Sequence, residues 1–256
     1  GIRDVERSRG LGDVYKRQAK DEEQNELFRK VRHNELDTPD TWEVGLTKYH
    51  TSKEKRVFWE RMLKENKLGA MALLRNLRNM QQVQVGKNLV RNSLDNMNIR
   101  WVLPFRYIAA AREVPHFEDI LEDPFLKTLS YQTKIPRRTI ILIDVSYSMV
   151  GIKISKRSTL DRLDAAAALA AIAREIFEEP YIFTFSNDLN AIPNRRGFGL
   201  IDSIRNQHHS GTYLGRAIQA SAKQVPGLKR MVVITDEQSY DTVVSTPPCK
   251  DGYIIN

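Results

Sequence analysis

The stretch that most constrains this chain is Thr139-Ile-Ile-Leu-Ile-Asp-Val-Ser-Tyr-Ser-Met149. Thr139 to Ile143 are β-branched or aliphatic without a break, the pattern of a strand buried on both faces. The run ends on Asp144, Ser146 and Ser148, three small oxygen-bearing side chains at alternate positions. A buried strand that delivers oxygens to its C-terminal end matches the way an open α/β sheet presents a site in the crevice above its edge. A carboxylate with hydroxyls, and no Cys or His beside them, suits a hard cation such as Mg²⁺ better than zinc. Two further oxygens stand at comparable ends: Thr212 in Ser210-Gly211-Thr212, and Asp236 after Lys229-Arg-Met-Val-Val-Ile-Thr235.

From Arg138 onward the chain alternates strand and helix. A helix is expected from Leu160 to Glu179, rich in Ala and stopped by Pro180, because small residues let a helix lie close to a sheet. Tyr181–Phe185, Lys229–Thr235 and Tyr253–Ile255 read as further strands, with helices over Leu200–Gln207 and Tyr213–Val225. Such alternation gives βαβ units and a mainly parallel sheet flanked by helices.

Upstream, about Asp21 to His116 reads as short helices. One-faced 3.6-residue repeats run through Asp40–Tyr49, Lys53–Asn66 and Lys67–Met80, and further helices are expected over Val83–Asn96 and Arg106–Glu113. Short helices joined by short loops point to a solenoid-like array, although no sequence repeat is visible. Charge gathers there. Between Thr51 and Arg112 stand thirteen Lys and Arg against four Asp and Glu, more than the whole net charge of +8. Solvated helix faces would account for any one of these residues, but as a group they favour an anionic partner. Residues 115–137, with Ile135-Pro-Arg-Arg138 at their end, read as a domain edge.

The order D-x-S-x-S, then Thr, then Asp resembles the metal-ion-dependent adhesion site of von Willebrand factor A domains. Ala72-Leu-Leu-Arg-Asn-Leu77 and Leu103-Pro-Phe-Arg-Tyr-Ile-Ala109, followed by a metal-site strand, are similar to the C-terminal part of the TROVE module of Ro ribonucleoproteins. The resemblance spans about residues 25–256. It implies a helical segment over 19–134, an A-type α/β domain over 135–256 that is incomplete at its C-terminus, and RNA held by basic helices. Arg75, Arg78, Lys87, Arg91, Arg100 and Arg106 are the candidate RNA contacts. For the metal it implies Mg²⁺ held by Ser146 and Ser148, by Thr212 directly or through water, and by Asp144 and Asp236 through ligated waters, with a partner protein's carboxylate as the remaining ligand. Small non-coding or misfolded RNA, a protein partner and a cytoplasmic location are the corresponding expectations. A metal-dependent protein-interaction module with no RNA role is the alternative.

Several classes are disfavoured. One cysteine, Cys249, allows no internal disulfide and has no arranged His or acid around it in sequence. No apolar run approaches a membrane span. Neither a Walker loop nor a G-x-G-x-x-G is present, and neither Glu237 nor the pair His208-His209 belongs to a catalytic or metal constellation, so an enzyme is not expected. Arg9-Gly-Leu-Gly-Asp-Val-Tyr-Lys-Arg-Gln18 resembles a translated adapter tail, and residues 1–18 are set aside as non-native.

Overall fold

The computed structural model describes residues 21–156, 158–243, 246 and 248–256, so the reading of residues 1–18 falls outside the described residues. The chain divides into two compact units, Gly1–His50 and Thr51–Asn256. In the first, α1 (Glu22–His33) is capped by Asp21, which accepts from Gln24 N at 2.7 Å. Glu22 and Glu23 in its first turn and Lys30, Arg32 and His33 in its last complement the helix dipole. A short helix, α2, spans Trp42–Lys48.

The second unit begins with five helices: α3 (Ser52–Lys64), α4 (Ala70–Gln82), α5 (Lys87–Asn96), α6 (Phe105–Glu113) and α7 (Glu118–Ser130). Thr51 and Glu54 close a reciprocal capping box on α3, the local signal for its start. Of the apolar stripes read from sequence, Phe58, Met62 and Leu63 of α3 and Ala70, Leu73, Leu74 and Leu77 of α4 are buried, whereas Met71 is only half-buried. Several starts fall later than the periodicity placed them, α4 at Ala70 and α5 at Lys87. In each case a glycine, Gly69 or Gly86, takes the N-cap place in extended conformation.

A five-stranded sheet follows, in the order β3-β2-β1-β4-β5, with β1 Ile135–Asp144, β2 Phe177–Phe185, β3 Leu189–Ala191, β4 Arg230–Ile234 and β5 Asp251–Ile255. All neighbours are parallel except β2 and β3. The helices between them are α8 (Arg162–Ile176), α9 (Gly197–Arg205) and α10 (Leu214–Gln224). The fold is therefore a helical segment followed by a mainly parallel α/β sheet with flanking helices.

Two boundaries differ from the sequence reading. The Ala-rich helix ends at Ile176, and Phe177-Glu-Glu-Pro180 opens β2 instead of completing a helix. At Pro180 the strand pairs only with Thr139 of β1, because β3 covers only Phe183–Phe185, so no ladder on the outer side needs its missing N–H. Ile135-Pro-Arg-Arg138 likewise belongs to β1, where Arg138 pairs with Glu179 of β2 at 3.1 Å.

The pleat divides β1 between two cores. Ile140 and Leu142 pack with Phe183, Phe185, Met231, Val233 and the α10 residues Leu214 and Ile218. Ile141 and Ile143 face the opposite side, toward the buried alanines 166–168, 170 and 171 of α8. The helical segment joins this side. Phe125 of α7 stacks on Phe198 of α9 with centroids 5.7 Å apart, and Phe198 N donates to Glu122 Oε1 at 3.0 Å. Gly197 has φ +55°, a left-handed conformation that glycine adopts without strain.

Candidate metal centre

β1 carries Asp144 to the C-terminal edge of the sheet with no exposed surface. Ser146 N donates to Asp144 Oδ1 at 2.8 Å, and Thr235 Oγ1, at the end of β4, donates to Oδ2 at 2.6 Å. Both carboxylate oxygens are thus oriented by a local turn and by the neighbouring strand. Burial pushes the Asp144 carboxyl above its ordinary range, and hydrogen bonds from Ser146 and Thr235 oppose that. The charge of Asp236 adds to the upward push.

The chain then turns through a short 3-10 segment, Tyr147–Met149, which brings Ser148 Oγ to 3.1 Å from Ser146 Oγ. Tyr147 N donates to Ser210 O at 3.1 Å, tying this loop to the one that carries Thr212. Ser146, Ser148, Ser210, Thr212 and Ser239 line one cavity of about 280 Å³, framed by the exposed rings of Tyr147 and Tyr240. Thr212 itself is buried, and Tyr240 N donates to its carbonyl at 2.9 Å. Asp236 follows β4 and is not among the cavity-lining residues. Its Oδ2 accepts from Arg162 Nη1 at 3.0 Å, and the same nitrogen lies 3.5 Å from Ser148 O.

The donor set fits a small hard cation. Neighbouring ligands of an octahedral Mg²⁺ stand roughly 3 Å apart, close to the 3.1 Å between the two serine hydroxyls. A buried carboxylate whose protonation is favoured by its surroundings also gains from a nearby dication. No group of three His, Cys, Asp or Glu placed to hold a metal ion exists among the described residues. Any cation here therefore relies on hydroxyls, two carboxylates and water. His209 turns away, its Nδ1 2.8 Å from Val145 O.

Sequence reasoning missed three supports of this edge. Thr235 had a visible signal, a hydroxyl beside Asp236 at a strand end. Arg162 and Asp241 had none, since each acts across a tertiary gap of more than twenty residues. Asp241 caps α10 from the β4–β5 connection, accepting Gly215 N at 2.9 Å and Arg216 N at 2.8 Å.

The six candidate RNA contacts divide into two groups. Arg78 pairs with Glu113 at 2.8 Å, and Lys87 and Arg91 both pair with Asp119, at 2.5 and 3.2 Å. The Lys87 ammonium holds the Asp119 carboxyl below its usual range. Arg75, Arg100 and Arg106 are exposed and form no ion pair among the described residues; Arg100 lies over the Trp101 ring, 5.2 Å from its centroid.

A helical segment leading into a mainly parallel sheet with flanking helices, with oxygen donors at the sheet's C-terminal edge, defines a two-part protein of helices followed by an α/β sheet. Within this chain, residues 23–149 match the TROVE domain model. Among solved structures it is similar to the Ro (RSR) protein of Deinococcus radiodurans, at 18% identity and a TM-score of 0.53. That match covers 89% of this chain and 56% of the Deinococcus one, so the chain spans little more than half the length of that relative. An aerotolerance-related membrane protein from Bacteroides fragilis, bearing multiple mutations to serine, aligns at 21% identity with a TM-score of 0.33, covering 41% of this chain and 56% of that one. No curated protein matches. No helix among the described residues is long and apolar enough to cross a membrane.

Proposed function

We propose that the chain is an RNA-binding component of a Ro-type ribonucleoprotein, holding small non-coding or misfolded RNA on basic helices, with a Mg²⁺-dependent protein-docking site in the α/β domain. The observation that carries the RNA part is the TROVE match over residues 23–149, which contains all six candidate cations. Arg75, Arg100 and Arg106, without acidic partners among the described residues, are the cations expected to reach phosphates first. Contact of this kind is directed at the backbone and reads sequence weakly. A cytoplasmic setting is part of the same reading.

For the docking site, Ser146 and Ser148 would hold the metal directly, Thr212 directly or through water, and Asp144 and Asp236 through water. A bound Mg²⁺ supplies an electrophilic position open to an anionic oxygen, such as a partner's carboxylate. The chain's own residues prepare that position. Thr235 and Ser146 fix both oxygens of Asp144. The Tyr147 and Tyr240 rings flank the opening as exposed aromatic surface, the residue type enriched where protein interfaces bind tightly.

Filter binding of a small structured RNA at about 50 and 200 mM salt tests the RNA part. Three phosphate contacts give a log–log slope of about −2 to −3, hence a loss of affinity of roughly 15- to 60-fold over that range. Affinity that hardly moves with salt would refute phosphate-directed holding. Asp144→Ala should leave RNA affinity within about twofold, because the mutation lies at the sheet edge; an equal loss of RNA and metal binding would refute the division of labour.

A further inference from the structure

The α5–α6 connection contains a feature that the fold does not need. Val102 N donates to Ile99 O at 3.0 Å, closing a four-residue turn whose central residues are Arg100 and Trp101. Ile99 and Val102 are buried at 2% and 5% exposure, which anchors the turn on both sides. Asn98 Oδ1 accepts from Arg100 N at 3.1 Å and fixes its entry. The result is an anchored turn presenting a Trp that is 81% exposed, with Leu103 two residues further on at 65%. Neither Arg100 nor Trp101 has positive φ, and a turn of this kind accepts most residue types, so nothing in the turn itself calls for Arg or Trp. Leaving an indole in water also forgoes a large burial gain.

The charge around it is one-sided. From Asn96 to Arg112 the chain carries three arginines and no acid. Of these Arg112 is committed, reaching Asp164 at 3.3 Å and Asp202 at 3.2 Å, whereas Arg100 and Arg106 are exposed. The Arg100 guanidinium lies over the Trp101 ring at 5.2 Å from the centroid. One ring face is thereby given a cation, and the indole otherwise meets solvent.

We infer that this turn is a base-stacking subsite for single-stranded RNA, in which Trp101 takes an unpaired base on its open face while Arg100 and Arg106 meet the flanking phosphates. The inference rests on the RNA-binding reading above and adds to it the residue that stacks a base, Trp101 on the α5–α6 turn. A nucleotide satisfies both features of the turn at once, a flat apolar surface and uncompensated positive charge. A protein segment would have to bring an apolar group and an acid separately.

The test uses the full chain and a short fluorescein-labelled oligouridylate at low salt, read by anisotropy and by tryptophan emission. Binding should quench the emission of the wild-type chain. Trp101→Ala should weaken binding about tenfold, the loss of one stacked base, and abolish the quench, while thermal melting stays unchanged because the ring is exposed. Trp101→Phe should recover affinity to within about threefold, and a blunt duplex should compete poorly. If W101A binds the oligouridylate as tightly as wild type, the subsite is wrong although RNA binding survives. The subsite is equally wrong if duplex competes as well as single strand, or if W101A only removes self-association. If the wild-type chain retains no RNA at all, the RNA-binding reading itself fails.

Discussion

Replacing Asp241 tests how the sheet edge is held together. Helix α10 starts at Leu214, two residues after Thr212, and its N-cap position, Tyr213, offers no side-chain acceptor for the leading N–H groups. Asp241 fills that role from another part of the chain, accepting Gly215 N and Arg216 N, while Ser239 Oγ donates to it at 2.8 Å. Gly215 permits this approach, since a Cβ there would strike Thr242 O. Losing an N-cap acceptor costs about 1–2 kcal/mol. For a unit of this size each kcal/mol moves the melting point by about 2–4 °C, so Asp241→Ala should melt roughly 2–8 °C lower at neutral pH. Asp241→Asn, which keeps one acceptor, should lose about half as much.

The pH dependence has a definite sign. Burial alone would raise the Asp241 carboxyl, but hydrogen bonds from Ser239, Gly215 N and Arg216 N outweigh it and hold the group below its usual 3.8. A carboxyl depressed in the folded state contributes stability above its unfolded pKa, and that contribution fades as pH falls through the folded value. The gap between wild type and D241N, measured by calorimetric melting, should therefore be full well above the ordinary carboxylate range and close as pH falls through the depressed folded value. Equal melting of D241A and wild type at neutral pH would show that α10 does not depend on this cap.

Other expectations concern the cations. Arg162→Ala removes the guanidinium that already neutralises Asp236, so divalent-ion affinity measured by calorimetry should tighten about five- to tenfold, at or somewhat above the upper end of an exposed ion pair; weaker binding would show that Arg162 positions Asp236 instead. In the RNA assay, Arg75→Ala and Arg106→Ala should each reduce the salt slope by about 0.7 to 1. Arg91→Ala should reduce it less, because Asp119 already accompanies that charge; a larger effect from Arg91 than from Arg75 would contradict the division between paired and unpaired arginines.

Much of the architecture was legible because its signals are local. The unbroken apolar run at Thr139–Ile143, the small-residue helix after it and the one-faced stripes of the upstream helices each declare their burial within a few residues. Boundaries failed where context overrode propensity. Phe177-Glu-Glu-Pro180 reads as a helix end, yet it extends β2 beside the exposed half of β1, with Glu179 opposite Arg138. The three-residue β3 is too short for periodicity to register. At the sheet edge the oxygen donors follow a recognisable order in sequence. Their supports, Arg162 on Asp236 and Asp241 on α10, exist only once the sheet brings distant loops together. The same holds for Trp101, whose exposure cannot be read from its neighbours in the text.

The most direct test of the sheet-edge site is a calorimetric titration of Mg²⁺, with Mn²⁺ as a second probe, into the full chain and into its Asp144→Ala variant. A single saturable site per chain that disappears in D144A is the expected result. A folded wild-type chain that takes up no dication, or a D144A chain that binds it unchanged, would mean that Asp144, Ser146, Ser148, Thr212 and Asp236 do not form a metal centre.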